Sequence, residues 1–149
     1  MGIAALVVWI LTASGGFYLL ARWVAGGGHR NRVSTRFPPA LIFGHFLLAA
    51  AGLVLWIIYL ITNNHPIGWI ALIMLAPVAL LGFAMLARWI PVYRSGHATT
   101  GANAQRSGNP ADTAPAERSF PVPVVIAHGA LAVTTVVLVL LAMLGVGAS

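Results

Sequence analysis

Residues 38–62 read PPALIFGHFLLAAAGLVLWIIYLIT. The stretch holds no Asp, Glu, Lys or Arg and a single histidine, and it opens on two prolines. A helix needs about 20 mostly apolar residues to cross a hydrocarbon core of about 30 Å, and proline is tolerated in a first helical turn. The stretch therefore predicts a Pro-initiated spanning helix over Pro38–Thr62. Three further segments qualify on the same ground: Ile3–Val24, Pro66–Ile90 and Pro121–Val146. The expected fold is all-α: a polytopic membrane protein, a four-helix transmembrane bundle forming one membrane domain over 1–149.

Composition agrees. The 149 residues are 60% hydrophobic and 7% charged, where a soluble domain is about a quarter charged. That excludes a soluble enzyme, a disordered tail and a nucleic-acid binder. The net charge of +6 comes from arginines placed between apolar runs, not from a patch on a soluble face. With no Cys, disulfides, thiolate catalysis, Cys-ligated zinc and iron–sulfur clusters are excluded. The first span lacks a basic leader, its only charge being Arg22 at the far end, so it reads as a span and not as a cleaved signal. Leu6 stands where a myristoylation signal wants Ser or Thr.

Outward from the spans, the connections give an orientation. Asn63-Asn64-His65 is short and predicts a tight hairpin. The connections 25–37 and 91–120 carry Arg30, Arg32, Arg36, Arg94, Arg106 and Arg118, while Arg22 and Arg88 close spans on the same side. All eight basic residues are Arg and share one face, so the positive-inside rule puts both connections in the cytoplasm and both termini outside. Arg with abundant Ala, Gly and Val is the composition of a GC-rich bacterial genome, so the expected location is a bacterial inner membrane, in contact with lipid. Trp23, Trp89 and Trp69 are expected in the interfacial aromatic belts. Residues 91–120, rich in Gly, Ala, Ser, Thr and Asn, predict a flexible loop.

The chain also repeats itself. Gly16-Phe17-Tyr18-Leu19-Leu20-Ala21-Arg22-Trp23-Val24 returns 66 residues later as Gly82-Phe83-Ala84-Met85-Leu86-Ala87-Arg88-Trp89-Ile90. Phe37-Pro38 followed by His45, Leu48 and Ala49 returns 83 residues later as Phe120-Pro121 followed by His128, Leu131 and Ala132. The sequence thus predicts two parallel two-helix repeats, 3–62 and 66–146, about a pseudo-twofold along the membrane normal. Convergent use of Arg-Trp at an interface and of Pro at a helix start explains some of these matches, but not the paired histidines.

Of five histidines, His29, His65 and His97 fall in connections. His45 and His128 each lie seven residues into a Pro-initiated span, about 10 Å deep at 1.5 Å per residue. An ionisable group at that depth is a functional candidate by default. Gly44, Ala49 and Gly52 flank His45, and Ala127, Ala132 and Thr135 flank His128 at the same spacings. Small residues along the stripe predict a flat recess in which a porphyrin ring could pack. Helix axes about 8–10 Å apart put the diagonal of a four-helix square at about 11–14 Å, a gap suited to one haem iron between two imidazoles. Arg22, Arg88, Arg36 and Arg118 stand at the same end, where forked guanidinium pairing suits carboxylates such as propionates.

On those two histidines the chain resembles the four-helix, bis-histidine membrane cytochromes b, among them the cytochrome b561 group and the membrane anchors of succinate and formate dehydrogenases. The resemblance is architectural and covers the four spans. It implies that His45 and His128 are the axial ligands of a haem b iron, and that the function is electron transfer with a quinone or a partner redox subunit of a respiratory complex. It departs from the b561 type, which carries two haems on four ligands, because this chain has one matched pair. The expectation is one haem b, with quinone as a further cofactor.

Other readings stay open. Two buried histidines can simply hydrogen-bond neighbouring helices, which suits a haem-free accessory subunit of a larger membrane complex. A copper or zinc site wants helices closer and more ligands, and two chlorophyll-type pigments would need one His each. A transporter is disfavoured because the spans lack Asp, Glu and Lys. The spans also lack a carboxylate and a nucleophile–base pair, so nothing marks a stand-alone enzyme.

Overall fold

The structure is a computed structural model, and it describes residues 1–29, 35–98 and 115–146, with only the backbone described at 95–98. Four α-helices make up the bundle: α1 (Gly2–Ala25), α2 (Pro39–Thr62), α3 (His65–Ala98) and α4 (Val122–Met143), with a short 3-10 turn at Ala116–Ser119. All four are long and apolar enough to cross a membrane. Ile3, Leu47, Ile61, Ile73, Leu80, Phe83 and Ile126 stand more than half exposed on the outside, a surface suited to lipid rather than water.

Local chemistry sets the helix ends. α2 and α4 start on prolines whose missing N–H costs nothing in a first turn. α2 ends at Asn63, which takes the left-handed conformation (φ 52°) and donates its N–H to the Tyr59 carbonyl at 2.8 Å. The chain then turns straight into α3 at His65, giving the tight hairpin. After α1, Gly28 lies where any Cβ would fall on the Trp23 indole, so this turn admits no larger residue.

α3 differs from expectation. The sequence ends this span at Ile90, yet the helix runs through Pro91 to Ala98. An interior proline costs about 3 kcal/mol, and packing beyond it offsets that cost. Val92 is buried and Tyr93 stacks on Trp89 with ring centroids 5.2 Å apart. The other end of the expected loop, 115–120, is also ordered, with Ala116 and Glu117 buried. Residues 99–114, where flexibility was expected, lie outside the described residues, as do Arg30, Arg32 and Arg106.

α2 packs along α3 and α4 along α1, with lighter contacts between α1 and α2 and between α3 and α4. α2 and α4 therefore stand on the diagonal. Two separate apolar clusters fill the bundle. Trp9, Trp56, Ala71, Leu75, Val139 and Met143 occupy the end away from the arginines. Trp23, Phe37, Ile42, Trp89 and Ala116 occupy the Arg-rich end. Trp23 and Trp89 are thus core residues, not members of an aromatic belt. Their indole N–H groups are committed inward, to the Thr35 hydroxyl at 3.0 Å and the Glu117 carbonyl at 3.2 Å. Trp69, 41% exposed, keeps the surface position expected of it.

Candidate functional site

Between the two clusters lies a layer that neither fills. Trp9 and Trp23 mark its limits on α1, fourteen residues or about 21 Å apart and on nearly the same helix face. In this layer α2 supplies His45 and α4 supplies His128, both half-buried. Their ring centroids are 6.3 Å apart and their planes 63° from parallel.

Each imidazole is anchored by its Nδ1. His45 Nδ1–H donates to the Val78 carbonyl on α3 at 2.9 Å, and His128 Nδ1–H donates to the Thr12 carbonyl on α1 at 2.9 Å. A carbonyl oxygen can only accept, so each Nδ1 carries the proton and each neutral ring keeps its lone pair on Nε2. Among the described residues neither Nε2 has a hydrogen-bond partner, and no buried side-chain nitrogen is orphaned. Both Nε2 atoms therefore open onto accessible space. A metal-ligating histidine has its second nitrogen fixed by a carbonyl in this way, and so does a histidine that only ties two helices together.

The separation permits a fit test. A metal–imidazole bond is about 2 Å long and the ring centroid lies about 1 Å behind the nitrogen, so one ion held by two rings sets the centroids about 6 Å apart. The 6.3 Å between the His45 and His128 centroids equals that spacing, the one for two Nε2 atoms turned towards a shared ion. Among the described residues no group of three or more His, Cys, Asp or Glu can hold a metal ion. Two imidazoles alone suit an iron whose other four positions a macrocycle already fills.

The flanking residues divide. Gly44 lies at ordinary contact distance from Leu81, while Ala49 and Ala132 are half-buried in the histidine layer. Ala127 faces outward. Gly52 opens onto no recess: a Cβ there would stand 3.2 Å from the Trp9 indole, which fills the place. Thr135 is buried and bonds the Thr12 hydroxyl at 3.2 Å. These two pack the layer below the histidines.

The arginines also have protein partners. Arg22 donates to the Ser119 carbonyl at 3.0 Å and Arg88 to the Arg36 carbonyl at 3.2 Å. Each guanidinium so holds the connection that enters the helix packed against its own, α4 for Arg22 and α2 for Arg88. One of five donors is used in each bond, leaving the rest of the fork for an anion. The Arg36 and Arg118 side chains are exposed at the same end.

Sequence reasoning passed over Glu117. It is fully buried, and its carboxylate accepts from the Thr35 hydroxyl at 2.9 Å and the Arg36 N–H at 2.6 Å. The available signal was its place: one of only two acids in the chain, three residues before the Phe120-Pro121 start of a span. Compared with protein families, curated proteins and solved structures, the chain matches none.

Proposed function

We propose that this chain is a membrane electron-transfer protein that holds one haem b between His45 and His128. The observation that carries the reading is the pair itself. Two imidazoles at one depth, 6.3 Å apart, each spend Nδ1 on a carbonyl of the adjacent helix and leave Nε2 free. Haem bound there supplies reversible one-electron chemistry, with its potential set by the axial pair, burial and the surrounding charge.

The chain's own residues do the rest. The Val78 and Thr12 carbonyls fix the tautomer and raise ligand basicity. The Trp9 layer and the Trp23–Trp89 layer exclude water from either side of the pair. Arg22, Arg88, Arg36 and Arg118 supply positive charge at one end, suited to propionates. One site near one face serves exchange with a quinone or a partner redox subunit rather than conduction across the whole bilayer. The arginine asymmetry supports an inner-membrane chain with both termini outside.

The bond pattern also supports reading the chain as a duplicated two-helix unit. Thr12 and Val78, whose carbonyls accept from the two imidazoles, are 66 residues apart, as are Arg22 and Arg88. His45 and His128 are 83 apart, as are Arg36 and Ser119. Pairs of bonds, and not only letters, therefore recur.

A haem-free accessory subunit is the second reading. It is favoured by the Nδ1 bonds, which by themselves tie α2 to α3 and α4 to α1. It leaves the two open Nε2 atoms without a purpose. Optical spectra of the purified full chain, oxidised and reduced, separate the two: a low-spin haem spectrum at one haem per chain is expected, and its absence favours the accessory subunit.

A further inference from the structure

We propose that Gly16 and Gly82 are positioning residues for the two imidazoles, a role that rests on the haem reading and makes it more specific. A Cβ built on Gly16 would stand 3.0 Å from His128 Cε1, and one on Gly82 would stand 3.4 Å from His45 Cε1. Each glycine lies one helical turn after the carbonyl that its histidine bonds, Gly16 after Thr12 and Gly82 after Val78. In a helix a side chain leans back over the turn that precedes it. A Cβ at Gly16 would therefore crowd the ring off the carbonyl that it must reach, whereas at Gly82 a bare Cβ sits at the edge of ordinary contact and only a larger side chain crowds the ring.

The missing Cβ has a definite consequence. It lets the imidazole edge lie flat on the neighbouring backbone and brings Nδ1 to 2.9 Å from oxygen. That contact fixes which nitrogen keeps its lone pair and where the ring stands. Pushed away by a few tenths of an ångström, the ring loses the short bond that holds it in place. The two positions are not equal. A Cβ built on Gly15 would also stand 3.6 Å from His128, so the ring lies over two consecutive glycines, whereas the residue before Gly82 is Leu81. The His128 seat is the tighter one.

Glycine inside a helix is otherwise unfavourable, and alanine normally stabilises the helix. A loss on substitution thus marks the contact and not the helix. Gly129 on α4 has no atom of another helix within 4 Å of its would-be Cβ and serves as the control for contacts between helices.

The test uses the full chain in detergent micelles, labelled with nitrogen-15 histidine, in mildly alkaline buffer and before haem is added. Signals are assigned with H45Q and H128Q. The wild type is expected to show Nδ1–H resonances for both histidines. G16A shifts the His128 resonance alone and G16V abolishes it. G82A shifts the His45 resonance alone, by less, and G82V abolishes it; G129A keeps both. The looser fit at Gly82 keeps one arm folded if G16V does not fold. Haem is then added and the Soret band read, with G16V and G82V expected to lose the low-spin spectrum. Unchanged Nδ1–H resonances in the Gly16 and Gly82 variants, or one lost in G129A, overturn the proposal. Side-specific changes in a protein that takes up no haem uphold it and overturn the haem reading instead.

Discussion

The Glu117 carboxylate, fully buried, accepts a hydrogen bond from the Thr35 hydroxyl at 2.9 Å, and so ties the connection entering α2 to the connection entering α4. Trp23 donates to the same hydroxyl and Trp89 to the Glu117 carbonyl. One acid therefore closes the Arg-rich end of the bundle.

Removing that acid should be costly. Glu117→Ala leaves the Thr35 hydroxyl and the Arg36 N–H without their acceptor, and a hydrogen bond to a charged group contributes about 1.5–3 kcal/mol. A loss of about 3 kcal/mol is expected, with Thr35→Ala, which removes one bond to the same carboxylate, costing about 2 kcal/mol. Tryptophan fluorescence through thermal unfolding reads it, because Trp23 and Trp89 lie in the same cluster. A Glu117→Ala protein that melts with the wild type contradicts the closure.

Shortening residues 99–111 should leave the histidine site intact. α3 already ends at Ala98, and the ordered closure resumes by Ala116, so the deletion touches neither. The spectrum of the shortened chain should equal that of the parent. Loss of the spectrum would put the loop in the site.

The arginine asymmetry predicts sidedness. The chain has no native Cys, so single cysteines report cleanly. Asn64→Cys should react with an impermeant maleimide on intact cells, and Ser107→Cys, outside the described residues, only after the membrane is opened. Labelling of Ser107→Cys from outside reverses the orientation.

Arg22→Ala and Arg88→Ala should act mildly and alike. Each removes an exposed bond to a carbonyl, at 3.0 and 3.2 Å, worth about 1 kcal/mol or less. Removing a nearby positive charge favours the oxidised iron, so the midpoint potential should fall while the haem stays. A potentiometric titration that shows no fall in either variant removes these arginines from the site's field.

Much of this was legible because period, length and proline position are properties of the chain itself. Pro38 and Pro121 start the helices that carry His45 and His128, and the short turn at Asn63-Asn64 sets α2 beside α3, whereas the close packing of α1 on α4, which no connection joins, was not legible. Contacts between helices were not legible. Gly16 and Gly82 were visible as repeated letters, but only the fold brings an imidazole across each. Gly52 looked like open space until Trp9 filled it, because a stripe of small residues does not say which large side chain faces it. Glu117 and the helix beyond Pro91 were missed for one reason: loop composition describes solvation, whereas burial of Glu117 and Val92 depends on partners far away in sequence.

The most direct measurement is the haem spectrum of the purified full chain beside its His45→Ala and His128→Ala variants. The wild type should show a low-spin spectrum at one haem per chain. Each variant should lose that spectrum, because one axial position is emptied, and the two should behave alike. His29→Ala and His65→Ala should match the wild type. A correctly inserted wild type with no Soret absorbance, or a His45→Ala protein with the native low-spin spectrum, would contradict the account.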